Sequence, residues 1–171
     1  NSTNTNIATF NALNNPNLFC IQVDHVAYSN TNWSLIDSQT VFRLDCNGIP
    51  FLIPDSNFEQ ALIDQGIDTD GILNGQMFDL DAFGIANLDV SGQNISDLTG
   101  IEFFSYLETL TVSNNNLITL NLNSNNSLIS LDVSNNDLQS LGIRNGNNQN
   151  IPTANFNATN NPNLTCISVD N

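Results

Sequence analysis

The chain has 171 residues, with 2 Lys plus Arg against 17 Asp plus Glu and a net charge of −15. Both cations are arginines, Arg43 and Arg144, so no lysine is available to grip a phosphate, form a Schiff base or close a Lys–Asn isopeptide. A surface this acidic is repelled by phosphate backbones and anionic lipid, which excludes nucleic-acid binding and a membrane-surface role.

Hydrophobic residues make up 40% of the chain and charged residues 11%, and nearly half of the uncharged polar residues are asparagines, 33 in all. That apolar share is enough to build a core, unlike the composition of disordered chains. The asparagines are therefore expected at regular places in a repeating geometry. No apolar run reaches the ~18 residues of a membrane span, so membrane insertion is not expected. The first residues lack the pattern of a signal peptide, and an opening Asn in place of Met is what a piece of a longer protein would show.

In chain order, the first feature is the phrase Phe10-Asn11-Ala12-x-Asn14-Asn15-Pro16-Asn17-Leu18-x-Cys20-Ile21-x-Val23-Asp24. Between Cys20 and Cys46 lies a segment carrying Val26, Tyr28, Trp33, Ile36, Val41, Phe42 and Leu44. After Pro54 the spacing predicts a helix near 55–65. Asp55 suits an N-cap, Phe58, Leu62 and Ile63 share one apolar face, and Gly66 suits the stop. Asp68-Thr69-Asp70-Gly71-Ile72-Leu73-Asn74-Gly75-Gln76 follows, with acids at alternate positions.

A repeat then begins. Ile85-x-x-Leu88-x-Val90-x-x-Gln93-x-Ile95, Leu107-x-x-Leu110-x-Val112-x-x-Asn115-x-Leu117 and Leu128-x-x-Leu131-x-Val133-x-x-Asn136-x-Leu138 stand 22 and 21 residues apart. Half-steps appear at Leu117-x-x-Leu120-x-Leu122 and Leu138-x-x-Leu141-x-Ile143. Alternating L-x-L triplets put two apolar side chains on one face and the middle residue on the other. Each coil thus has two short strands. One parallel stack is expected at 88–90, 110–112, 131–133 and 154–156, and the other at 120–122, 141–143 and 167–169. The SNN and NSNN runs fall at the corners, where Asn tolerates left-handed backbone and bonds nearby main chain. Finally the opening phrase returns as Phe156-Asn157-Ala158-x-Asn160-Asn161-Pro162-Asn163-Leu164-x-Cys166-Ile167-x-Val169-Asp170, displaced by 146 residues. A window cut from a tandem array of blocks has this form.

The L-x-x-L-x-L-x-x-N-x-L coils resemble the leucine-rich repeat family. The helix before the first coil resembles the N-terminal cap of internalin-like bacterial repeat proteins, and Asp97-Leu98-Thr99-Gly100-Ile101-Glu102 resembles their linking segment. The set IPDSNFEQALIDQGIDTDG, ISDLTGIE, SNN and NNPNLTCI is similar to secreted or surface leucine-rich repeat proteins of the Bacteroidota. The resemblance implies a leucine-rich repeat solenoid of the α/β class, mostly short parallel strands and turns with one cap helix near 55–65. It divides the chain into a C-terminal cap of a preceding block (1–46), a helical N-terminal cap (47–84) and coils of about 21–22 residues (85–171) cut before their own cap. It also implies that Cys20 and Cys46 close the first cap as a disulfide, and that the mate of Cys166 lies one block further on. Three reduced, buried cysteines are the alternative.

Asp68, Asp70 and Asn74 are the candidates for a calcium loop, the one cofactor to consider. The fit to an EF-hand is poor, because position 72 is Ile and position 79 is Asp where a bidentate Glu belongs; a capped turn ending the helix is the alternative. His25 is the single histidine and is expected at the surface, so no triad is expected. Asp79 and Asp81 could mimic a glycosidase pair, but no aromatic sugar cleft accompanies them. No catalytic residue is assigned, and Trp33 reads as cap core. Any binding surface is expected at the outward positions Asp89, Thr109, Thr111 and Asp132, flanked by Ser91, Ser113, Ser130 and Ser134. The reading is a non-enzymatic segment of a large extracellular or cell-surface protein, acting as adhesin, stalk or fibre-forming element. Its partners would be neighbouring blocks stacked head to tail and a surface protein or glycan ligand. The alternative is a glycan- or protein-binding accessory domain attached to a catalytic module.

Overall fold

The computed structural model describes residues 7, 9–16, 18–38, 40–44, 46 and 48–171. Residues 1–6 of the first cap segment and Asn17 of the repeated phrase lie outside the described residues. The chain falls into two compact units, 1–49 and 50–171.

In the first unit, β1 (Asn11–Ala12) pairs in parallel with β3 (Leu35–Ile36), and β2 (Cys20–Gln22) with β4 (Val41–Arg43). Helix α1 (Val26–Asn32) lies between, with the His25 side chain accepting the Tyr28 N–H at its N-cap. Val23, Trp33 and Phe42 are buried at its centre, with Phe10, Ile21, Val26, Tyr28 and Ile36 packed around them. The Phe10 ring stacks on Trp33 with centroids 4.8 Å apart. Cys20 and Cys46 form a disulfide with Cα atoms 5.7 Å apart, and closing a loop of this size contributes about 3 kcal/mol in the chain-entropy account.

The second unit opens on a hairpin the sequence pattern does not announce, β5 (Pro50–Leu52) antiparallel to β6 (Gln76–Phe78). Helix α2 (Ser56–Asp64) lies between these strands in the chain. Asp55 caps it by accepting the Asn57 and Phe58 N–H groups. It buries Phe58, Ala61 and Leu62, while Ile63 stays partly exposed. Gly66 ends the helix at φ +68°, its N–H donating to the Ile63 carbonyl, a backbone state that favours glycine. A short helix, α3 (Asp79–Ala82), leads into the coils.

The coils form two parallel stacks. The first contains β7 (Asn87–Asp89), β8 (Thr109–Thr111), β10 (Ser130–Asp132) and β12 (Phe156–Asn157), joined in that order. The second contains β9 (Thr119–Asn121), β11 (Ser140–Gly142) and β13 (Cys166–Ser168). Mostly short strands, few helices and parallel sheets give an α/β repeat-type fold. Leu88, Leu110 and Leu131 stand in register as one inward column. Val90, Val112 and Val133, then Ile95, Leu117 and Leu138, continue the buried interior. Each such side chain contributes about 1.5–3 kcal/mol by burial.

Nearly every strand sits one residue earlier than expected, and the cause is visible. The Val90, Val112 and Val133 N–H groups still donate to the next coil, but their carbonyls accept from the buried amides of Asn115 and Asn136 and the half-buried amide of Asn161. In the first stack the ladder is therefore interrupted at the valine, and one further inter-coil bond follows, as from the Gly92 N–H to the Ser113 carbonyl. The exception is the fourth strand, at 156–157 in place of 154–156. Short 3-10 turns at Asn148–Asn150 and Thr153–Asn155 lengthen that coil, so Phe156 falls opposite Leu131. At the corners, Asn94, Asn114, Asn135 and Asn160 take φ between 54° and 60°.

Candidate functional site

Parallel pairing fixes which side chains share the outer face of the first stack. Asn87, Thr109 and Ser130 form one row, and Asp89, Thr111, Asp132 and Asn157 the next. Successive strands lie about 4.8 Å apart, so the longer row spans roughly 14 Å. Asp132 is tied in place. One carboxylate oxygen accepts the Ser134 N–H (2.9 Å) and hydroxyl (2.6 Å), and the other accepts the Asn157 amide at 3.2 Å. Asp89 likewise accepts the Ser91 N–H at 3.0 Å. The face is thus a rigid, acidic grid of short polar side chains, able to offer hydrogen bonds without first ordering long ones.

Of the eight expected surface residues, Asp89, Thr111 and Asp132 share one row and Thr109 and Ser130 the other, with Ser91 half-buried beside them. Ser113 and Ser134 do not belong to this face. They are only 8% and 4% exposed, because the chain has begun to turn inward toward the buried asparagines. Asn87 and Asn157 join the rows unforeseen. The L-x-x-L spacing carried the signal for Asn87, which precedes Leu88 as Thr109 precedes Leu110.

The other candidates lie between α2 and the first coil. Asp70 accepts the Ile72 N–H at 2.7 Å and the Asn74 amide at 3.0 Å, while Asn74 accepts the Gln76 N–H at 2.9 Å. These two residues hold each other in a turn. Among the described residues no group of three or more His, Cys, Asp or Glu side chains forms a metal set. Asp68 is 2% exposed, and neither oxygen has a partner in good hydrogen-bonding geometry. Burial, with Asp70, Asp81 and Glu59 nearby, pushes its carboxyl up to about 6, and the Asp70 N–H offsets only part of this. Glu59, also buried, accepts the N–H groups of Asn74 and Gly75 at 2.7 Å and of Gln76 at 3.3 Å. Asp81 accepts the Thr69 hydroxyl at 2.7 Å. His25 is engaged as the cap of α1.

No model of a known protein family matches the chain, and no curated protein matches it. Among solved structures it is similar to the functional domain of InlJ from Listeria monocytogenes, described as including a cysteine ladder. The identity is 21%, the TM-score 0.47, and the match covers 70% of this chain and 28% of that one. It is also similar to a structure of CBM51-2 in complex with GlcNAc and INT domains from Clostridium perfringens ZmpB. There the identity is 26%, the TM-score 0.46, and the match covers 62% of this chain and 22% of that one. The chain therefore spans less than a third of either.

Proposed function

We propose that this chain is a non-enzymatic, extracellular segment of a larger tandem-block surface protein, a leucine-rich repeat solenoid serving as adhesin, stalk or fibre-forming element. The observation that carries the reading is the parallel two-stack architecture bounded by near-copies of one phrase 146 residues apart. Such a structure grows by adding blocks and presents the same outer rows at each step, which suits reach and multivalent contact. The Cys20–Cys46 disulfide supports an oxidising compartment. Short Asp, Thr, Ser and Asn side chains lack the aromatic and arginine anchors of tight protein interfaces. The rows thus suit many weak contacts along a fibre better than one strong site.

Protease shaving of intact cells tests this directly. An antibody raised against this chain should lose its signal when whole cells are treated with protease, while a cytoplasmic control survives. Protection of the chain until the cells are lysed would refute a surface role.

A further inference from the structure

The segments 10–24 and 156–170 match at twelve of fifteen positions, and the structure shows what covers the first. Residues 25–46 lay β3 and β4 against β1 and β2, pairing Asn11 with Leu35 and Cys20 with Val41. They place Trp33 on Phe10 and Phe42 beside it at 5.9 Å. The Asp37 carboxylate accepts the Asn14 and Asn15 N–H groups at 3.0 and 2.6 Å. Cys46 then closes onto Cys20.

The second copy is differently placed. Among the described residues, β12 and β13 stand at the ends of their stacks, each paired on one side with its other edge open. Phe156, Ile167 and Val169, at the positions of Phe10, Ile21 and Val23, line a groove of about 480 Å³ with Ile143 and Ile151. Val23 is 6% exposed, but Val169 is 47% exposed. Cys166, at the position of Cys20, is an exposed free thiol. Apolar side chains, two open strand edges and a thiol thus coincide where the matching surface carries a cover.

We propose that this face seats a polypeptide segment built like 25–46, paired in parallel to β12 and β13 and joined by a disulfide to Cys166. The occupant carries Trp at the position of Trp33 to stack on Phe156, Phe at that of Phe42, and an acid at that of Asp37 to accept the Asn160 and Asn161 N–H groups. Its cysteine corresponds to Cys46. The proposal goes beyond the surface role above, which depends on exposure on the cell and not on capture at Cys166.

A synthetic peptide of residues 25–46, its cysteine held as the glutathione mixed disulfide, tests this on the full chain with the Cys20–Cys46 bridge intact. The Cys166 thiolate attacks the peptide's cysteine sulfur, the new disulfide forms, and glutathione leaves as its thiolate. Capture at Cys166 should exceed that of a shuffled peptide at least tenfold, read by intact mass and peptide mapping. Peptides with Trp33→Ala and Phe42→Ala, and a protein with Val169→Asp at its exposed position, should each lose most of that advantage. Equal capture of native and shuffled peptides would overturn the proposal. So would mapping to Cys20, or a product that is chiefly a Cys166–Cys166 dimer.

Discussion

The segment 50–84, which covers the first coil as a cap through Phe58, Leu62 and Asp55, and the coils that follow solve one problem with different chemistry. Both bury irregular backbone whose N–H and C=O groups need partners. The coils use neutral amides. Asn115 donates to the Val90 and Val112 carbonyls while its oxygen accepts the Gln93 and Ile95 N–H groups, and Asn136 repeats the device one coil on. The cap uses carboxylates, Glu59 under the loop at 74–76 and Asp55 between α2 and the Ser96–Asp97 backbone. An amide both donates and accepts, so it can be stacked indefinitely, whereas a carboxylate only accepts. The repeating part should therefore be insensitive to pH and the unrepeated part sensitive to it.

Removing an amide from the middle of the ladder tests this most severely. Asn136→Ala orphans the buried Leu117 N–H and takes one of two amide donors from each of the Val112 and Val133 carbonyls, and these losses together should cost about 3–4 kcal/mol. Urea unfolding should show the same loss at pH 5 and pH 8. A loss that changed strongly with pH would break the contrast.

Gly100→Ala probes the joint between the two regions. Gly100 has φ +106°, and an added Cβ would clash with Ile53 Cδ1 and lie 3.0 Å from the Leu52 carbonyl oxygen. Strained backbone and a clash with β5 together should cost about 3 kcal/mol. Thermal unfolding monitored at the cap and at the coils should show the cap losing cooperativity first.

Asp55→Ala should cost about 2 kcal/mol, since it removes a helix cap and a tie to the first coil. Burial raises the Asp55 carboxyl, but hydrogen bonds from Ser96, Phe58 and Asp97 outweigh it and hold the group below its usual value. Because the folded state binds this proton less tightly, its contribution is present above about pH 4 and lost as pH falls further. The difference between wild type and Asp55→Ala should shrink in acid.

The inward columns were legible because Leu-x-x-Leu repeats at a fixed step, and so were the corners at Asn114 and Asn135, where short polar side chains favour left-handed backbone. Helix α1 was not legible. Val-Ala-Tyr-Ser-Asn-Thr-Asn is a poor helix former, and packing of Val26 and Tyr28 around Trp33 overrides that preference. Hairpin β5–β6 joins strands 24 residues apart in the chain, a pairing no local pattern contains. Glu59 has the look of a surface residue on an amphipathic helix, and only the loop folded over it reveals its role. On the outer face, alternation placed Thr109, Thr111, Ser130 and Asp132. It could not show that the chain turns inward at Ser113 and Ser134.

Asp68 is the smallest and most selective test, because its carboxylate has not been given the partners that Asp55 and Glu59 have. The folded state holds its proton more tightly than the unfolded state, since the pKa is raised to about 6. The sign is therefore opposite to that of Asp55. Stability from this group is full below about pH 4, declines as pH rises toward 6, and is absent above. Asp68→Asn removes the charge and keeps the shape, though its amide also lacks an evident partner, so the gain at pH 7.5 should be modest, about 1 kcal/mol. At pH 4, where the native carboxyl is already protonated, the gain should vanish. The general easing of repulsion in a chain of net charge −15 also stabilises the fold in acid, but it acts on both proteins and cancels in the difference. A gain that persisted unchanged at pH 4 would mean that the buried carboxylate is not what separates the cap from the coils.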